Sequence, residues 1–520
     1  MKRILLLLVC AGFAMTARGD EGMWLFNEPP RELLRQRYQF DATDAWLNRL
    51  QKSSIRFNSG GSGSFISRDG LLISNHHVGA DALQKLSAQK KDFLRDGFYA
   101  RTPAEEIRCL DLELNVLESV EDVTARVDAA IPADAGPDEA FVARRKIIAE
   151  IEKESHDKTG LRSDVVTLWE GGAYHLYRYK RYTDVRLVFA PEQQMAFYGG
   201  DPDNFEFPRY DLDICIFRAY ENGQPAHIED YLHVSKEGPK DGELVFVSGN
   251  PGGTDRNLTV AELDELRDSA VPLRLDELKW QEVLLDSWSA RNKENARRAK
   301  QFLFGVKNSR KAFDGRLGGL LDPQLMGAKA ATESEFKERL ANKPEFAGAL
   351  AAYDKIAAAS KILGETYVKY NLFENGMGFK CDSFQIARTL LRAGEERPKP
   401  NGERLREFFD SSRPSLELSL FSAKPVYPDL EILSLTESLT YMACKIGPGD
   451  PLVQKILGGQ TPQERATQLI NGTKVRDVAF RKQLYEGGAA AVDAAQDPMI
   501  EFARMVDPEA RAVRKIVEDQ

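Results

Sequence analysis

The sequence predicts a β + α chain, with a β-barrel domain over residues 20–264 and a mostly α-helical domain over 265–520. Three observations carry that expectation. The 520 residues exceed what one core organises, since cores stop growing near ~250–300 residues, so two or more domains are required. Up to about Val260 short apolar runs alternate with turn signals, as in a sheet. Beyond it the apolar residues recur at helical spacing.

The first element is a leader. Lys2 and Arg3 precede an apolar run from Ile4 to Met15, the n- and h-regions of a secretory signal. The run falls short of the ~20 residues that span a bilayer. Small residues at Ala17 and Gly19 place cleavage after Gly19, so residues 1–19 are expected to be removed and the mature chain, starting at Asp20, to be periplasmic or secreted. Cys10 lies inside the apolar run behind Val9, a poor lipoprotein site, and no membrane anchor is expected. Cys109, Cys215, Cys381 and Cys444 are widely spaced with no CxxC pair, which indicates neither a zinc site nor a disulfide framework.

The barrel is expected from strands over Gly63 to Ile66, Leu71 to Ser74, Asp184 to Phe189, Asp213 to Tyr220 and Glu243 to Ser248. Turns are marked by Asp69-Gly70, Asn222-Gly223 and Asp241-Gly242. A helical insert from about Asp138 to Ser155 interrupts them, giving a barrel with decorations. In the second half, Leu275, Leu278, Leu284, Leu285 and Trp288 mark one apolar helix face, and the Ala-rich stretch from Phe346 to Leu363 marks another. Asp382 is expected to cap the helix after it, with Gln385 at the capping-box position and Phe384, Ala387 and Leu391 facing inward. Loops at Arg397–Gly402 and Ile446–Pro451 separate these helices, and no fixed-period repeat is present.

Charge narrows the function. With 71 Lys and Arg against 80 Asp and Glu, the net charge is −9, so the basic face that phosphate binding needs is missing and no nucleic-acid partner is expected.

The most informative segment runs from Ser59 to Gly79. A Gly-rich strand, the Asp69-Gly70 turn and a second apolar strand deliver His76 and His77 to a strand end, with a helix from Ala80 to Ala88 expected next. In chymotrypsin-like barrels the catalytic histidine sits at such a junction, where it must be held between a carboxylate and a nucleophile. His77, followed by Val78, fits that place; taken alone, a His-His pair in a loop is more often structural. An acid opening an apolar strand is the partner a triad needs, and Asp213 does so, with Cys215 and Phe217 on its face; Asp211 shares that face by period two and is the alternative. A metal site on the two histidines is disfavoured, because neighbouring side chains point apart and no HExxH pattern is present; no cofactor is expected.

These residues, with Asp20-Glu21-Gly22-Met23-Trp24, Asn75-His76-His77, the Gly200–Asn204 block, Phe207-Pro208-Arg209, Gly249-Asn250-Pro251-Gly252 and Thr254-Asp255-Arg256, resemble the bacterial dipeptidyl-peptidase 7 and 11 family over nearly the whole chain. These are secreted serine exopeptidases that release N-terminal dipeptides. The resemblance implies a chymotrypsin-type double barrel with the α-helical domain inserted between the barrels. It implies His77 as general base and Asp213 as its orienting acid. It assigns Asn204 to the substrate's free α-amino group, Phe205 to the place of the family's tryptophan, and Asn308, which reads equally as a surface helix residue, to the same amine. It further implies oligopeptide substrates with a free N-terminus and a homodimer. A site built around that amine rejects blocked N-termini, because its polar groups would be left unpaired.

The sequence departs from the family twice. The family's cysteine after the catalytic histidine and its partner in the Gly-rich strand are here Val78 and Ser62, so apolar packing is expected to replace that disulfide. The nucleophile motif Gly-Asn-Ser-Gly-Ser-Pro, which the family carries in the second barrel, is missing; Gly249-Asn250-Pro251-Gly252 lacks a hydroxyl, and Ser62 and Ser64 read as structural. The expectation is therefore a first barrel and an incomplete helical domain of a serine dipeptidyl peptidase, inactive as these 520 residues stand. The alternative is a catalytically dead periplasmic peptide-binding protein that keeps the amine clamp.

Overall fold

The computed structural model describes residues 22–196 and 203–520; the expected leader and Gly200 to Pro202 lie outside the described residues. The chain is a mixed sheet-and-helix structure. Among the described residues eleven strands form one antiparallel sheet: β1 (Ser54–Phe57), β2 (Ser62–Phe65), β3 (Leu71–Ser74), β4 (Phe98–Tyr99), β5 (Ile107–Arg108), β6 (Leu114–Asp122), β7 (Arg162–Leu168), β8 (Ala173–Tyr182), β9 (Asp184–Ala190), β10 (Cys215–Glu221) and β11 (Gln224–Pro225). Their order is β4-β9-β10-β3-β2-β1-β6-β8-β7, with β11 on β10 and β5 on β9.

The strand pattern follows from alternation. Along β10 the burial of Cys215, Phe217 and Ala219 alternates with the half-buried Ile216 and Arg218, as a strand with one face in the core requires. That face meets Ile55, Phe57, Phe65, Leu72, Val185 and Leu187. The expected helical insert spans Pro137–Thr159, opened by Pro137 and closed by Gly160 in the left-handed conformation, and buries Ile148 and Ile151 against Val165 and Leu176 of the outer strands.

One expected strand does not form. Residues 243–248 join no ladder among the described residues, and Val247 is fully exposed. The alternation was real but its partner is not a strand: Phe246 stacks with Phe40 and Trp46, ring centroids 5.0 and 4.9 Å away, and Leu244 joins the same small cluster. Aromatic contact here substitutes for a ladder.

From Val260 the chain is helical, opened by a capping box in which Thr259 and Glu262 satisfy each other's amides. The face expected from Leu275, Leu278, Leu285 and Trp288 is buried on the Val271–Ser289 helix, with Leu284 half-buried. The main helical core gathers Phe379, Phe384 and Phe502, with centroids 4.7 to 5.8 Å apart. Two readings are corrected. Asp382 does not cap its helix: Cys381 occupies the N-cap and its Sγ accepts from the Phe384 amide at 3.4 Å, while the amides of Asp382 and Ser383 donate to the Glu431 carboxylate at 2.9 and 2.8 Å, so a neighbouring helix shares the cap. The Ala-rich helix, Ala347–Lys369, buries only Ser360; its small side chains Ala349, Ala352 and Ala359 instead line a cavity of about 1960 Å³ against the outer strands.

The halves are tied by polar contacts. Ser411 donates to Glu152 at 2.8 Å, Arg406 to the Val165 carbonyl at 2.7 Å, and Ser415 to both oxygens of the fully buried Glu113 at 2.9 Å. Gln84 donates to the Arg297 carbonyl at 3.0 Å, fixing the His76–Leu86 helix to the Lys293–Leu321 helix. Among the described residues, no helix is long and apolar enough to cross a membrane.

Candidate active site

Strand register creates the site. Cys215 at the start of β10 is the antiparallel partner of Ser74 at the end of β3, so continuing outward brings the residues before Cys215 alongside those after Ser74. The chain then turns directly into the His76–Leu86 helix, so the two histidines are its first residues, four ahead of the expected helix start. Gly79 lets that helix sit on β10: a Cβ there would lie 2.7 Å from Cys215 Sγ, closer than any side chain tolerates. Val78 reaches across to Gly61, where a Cβ would meet Val78 Cγ2 at 2.5 Å. Ser62 does not share in that apolar contact; its hydroxyl accepts from the Asn250 amide at 2.7 Å and holds the 249–253 turn.

His77 and Asp213 meet. His77 Nδ1 lies 2.6 Å from Asp213 Oδ2, and the His77 amide donates to Oδ1 at 3.0 Å. Asn75 Nδ2 donates to Oδ2 at 3.1 Å. Burial works against ionising Asp213, but these bonds outweigh it and hold its carboxyl below the ordinary value. An ionised Asp213 makes Nδ1 the protonated nitrogen and leaves Nε2 to accept a proton, and the ring is 39% exposed, so a reactant can reach it. The alternative acid, Asp211, accepts from Arg209 at 3.3 Å. His76 is buried, and burial lowers its basicity.

A second pair forms across 104 residues. Asn204, fully buried in the turn after the undescribed segment, donates from Nδ2 to Asn308 Oδ1 at 2.7 Å on the Lys293–Leu321 helix. Among the described residues its own Oδ1 is buried and meets no donor. A buried acceptor left open costs about 1–3 kcal/mol unless a ligand fills it. Lys311 and Glu206, 3.3 Å apart, pin the same turn to the same helix one turn further on. Phe205 adopts a positive φ of 65° and stands 57% exposed beside this pair in sequence. Asn75 enters the sequence only as part of the family-like Asn75-His76-His77 stretch, with no role of its own, and no sequence signal marks the Lys311–Glu206 clasp.

A family model described as Peptidase S46 matches residues 19–520. Dipeptidyl-peptidase 7 of Phocaeicola vulgatus is 30% identical over 361 residues, covering 64% of this chain and 50% of that protein. Dipeptidyl-peptidase 7 of Porphyromonas endodontalis is 28% identical over 463 residues, covering 81% of this chain and 54% of that protein. Among solved structures, Porphyromonas endodontalis DPP11 in complex with the dipeptide Arg-Glu superposes with a TM-score of 0.75 at 22% identity, covering 96% of this chain and 75% of that one. That likeness shows a shared fold. The chain spans about half the length of the curated relatives it matches.

Proposed function

The chain belongs to the Peptidase S46 family, and on that premise we propose that it is part of a serine-type dipeptidyl peptidase that releases dipeptides from the free N-terminus of peptides. The relatives named dipeptidyl-peptidase 7 support the reaction class. The observation that carries the reading is the Asn204 Oδ1, fully buried and meeting no donor among the described residues, a fixed acceptor for a substrate's α-ammonium. Asn308 holds the Asn204 amide so that this oxygen, not the nitrogen, faces the incoming group. An acetylated terminus has lost the ammonium's charge and most of its donors, so it satisfies the oxygen poorly.

In the proposed chemistry, His77 Nε2 takes the proton of a hydroxyl nucleophile as the oxygen attacks the carbonyl carbon of the second residue. It then returns that proton to the leaving amine; in the second half it takes a proton from the water that attacks the dipeptidyl ester and hands it to the departing nucleophile oxygen, which frees the dipeptide. Asp213 keeps Nδ1 protonated and stabilises the imidazolium between these steps. The hydroxyl belongs to a Gly-Asn-Ser-Gly-Ser-Pro segment that the 520 residues do not contain, so these residues alone bind peptide without cleaving it. The barrel is of the chymotrypsin type, β3 and β10 delivering base and acid, and the leader over residues 1–19 sends the protein to the periplasm or outside.

Calorimetry with a free-amino tripeptide and its N-acetyl twin tests the reading. Binding of the first and at least tenfold weaker binding of the second are expected, a tenfold ratio being what a single hydrogen bond to a charged group commands. Equal affinity for both refutes the amine clamp. Dipeptide release by the purified 520 residues, abolished by His77→Ala, refutes the claim that they only bind.

A further inference from the structure

Asn75 sits at the N-cap of the His76–Leu86 helix, extended at φ −80° and ψ 151°, yet its side chain makes no capping bond. An asparagine there ordinarily turns its oxygen back to accept from the second or third helix amide. Here that amide, the one on His77, donates to Asp213 Oδ1 at 3.0 Å instead. Asn75 spends its Nδ2 group on Asp213 alone, reaching the carboxylate Oδ2 at 3.1 Å and the backbone carbonyl at 3.2 Å. Both partners are acceptors, so the amide nitrogen must be the atom that faces them. Cap and acid have exchanged duties: Asp213, two residues ahead of β10, caps the helix, and the freed asparagine grips Asp213.

We propose that Asn75 is a positioning residue for the proposed hydrolysis: its carboxamide fixes the Asp213 carboxylate, and Asp213 in turn fixes the ring of His77. The inference rests on the reading of His77 as base. With Asn75 in place, Oδ2 takes one bond from Asn75 and one from His77 Nδ1 while Oδ1 takes the helix amide, so both oxygens are committed and the carboxylate plane is determined. Without Asn75, Oδ2 keeps one partner and the backbone carbonyl of Asp213 keeps none from this side. The carboxylate, whose side chain is 12% exposed, can then turn about its bond to Cβ and trade its bond to His77 for water.

The test needs no turnover. Long-range ¹H–¹⁵N spectra of the imidazoles in the 520-residue chain read which nitrogen of neutral His77 carries the proton. The unaltered protein is expected to show the Nδ1–H form, and Asp213→Asn to lose it. Asn75→Ala is expected to lower the ratio of Nδ1–H to Nε2–H by about three- to tenfold, less than the roughly 10- to 150-fold of a whole charge-assisted hydrogen bond because Asn75 reaches the ring only through Asp213, with melting temperature and amide spectrum otherwise retained. Asn75→Ser keeps a cap-forming hydroxyl that is too short to reach Asp213, and is expected to fall with Asn75→Ala. A ratio unchanged in both variants overturns the proposal. So does full recovery by Asn75→Ser, which would make Asn75 a helix cap, and so does an Nε2–H ring in the unaltered protein. Should Asn75→Ala not fold, Asn75→Ser alone decides. Because none of these readings depends on peptide binding, a failed amine clamp leaves the assignment of Asn75 standing, and the reverse holds too.

Discussion

Replacing Asn204 with leucine sets affinity against stability at one position. The side chain is fully buried, donates to Asn308 at 2.7 Å, and carries an Oδ1 that meets no donor among the described residues. In the unliganded protein that oxygen costs about 1–3 kcal/mol of lost hydration, which leucine, of similar volume, removes. Leucine also deletes the bond to Asn308, worth about 1 kcal/mol, but Asn308 is half-buried and water can satisfy its oxygen. The net change in stability is therefore between about zero and 2 kcal/mol in favour of the variant. Binding moves the other way: a hydrogen bond between Oδ1 and an ammonium is worth about 1.5–3 kcal/mol, so affinity for a free-amino tripeptide falls about 10- to 150-fold while that for its N-acetyl twin barely changes. Thermal unfolding without peptide and paired calorimetric titrations read both quantities. A variant less stable than the parent by more than 2 kcal/mol, or parallel weakening of both peptides, would refute the reasoning, since either outcome makes Asn204 a structural residue.

Three further perturbations have defined outcomes. Glu437 is buried, its Oε1 meeting no donor among the described residues, and burial, against the pull of Lys380, raises its carboxyl to about 7 from an ordinary 4.5. The folded state then holds this proton more tightly than the unfolded one, so stability is greatest below the ordinary value and declines as pH rises toward about 7, by as much as about 3 kcal/mol. Glu437→Gln should flatten that decline in urea unfolding between pH 5 and about 8, and an unchanged slope would assign it to other groups. Phe384, fully buried among Phe379 and Phe502, should cost about 3–5 kcal/mol when cut to alanine, read as a drop in urea midpoint at constant slope. Gly79→Ala should cost about 1–3 kcal/mol and disturb the His77 ring signals, because the helix must lift from Cys215; a variant with parental stability and spectra would show that the helix has room to spare.

How far the sequence reveals this architecture depends on whether the information is local. β3, β9 and β10 were legible because alternation and the Asp69-Gly70 and Asn222-Gly223 turns are written within a few residues. The insert was legible for the same reason, its helix running only a few residues past the expected ends. Residues 243–248 alternate just as clearly, yet their apolar side chains answer Phe40 and Trp46 some 200 positions earlier, and nothing local distinguishes that partner from a strand. The cap at Asp382 failed on the same ground, since Glu431 supplies an acceptor from another helix. The apolar stripe of the Ala347–Lys369 helix has the period of a buried face, but a period says only which residues share a side, not what lies opposite.

The candidate site repeats this division at smaller scale. His77 and Asp213 could be named because each sits at a strand end whose pattern is local, and antiparallel register then forces the ends together. Asn75 could not, because the helix was expected only from Ala80, which leaves Asn75 in a loop, and its role depends on Asp213, 138 positions later, taking the helix amide. The hold of Asp213 on that amide also bears on energetics. The first helix amides carry partial positive charge, so a carboxylate seated on them is stabilised where an amide oxygen would gain less. Seating the acid on the helix that carries the base therefore ties the ionisation of Asp213 to the position of His77: any shift of the helix that spoils the His77 amide bond also weakens the case for charge on the carboxylate. Base and acid are held by one local structure, and it is this coupling, more than the 2.6 Å contact itself, that Gly79 protects by letting the helix lie flat against Cys215.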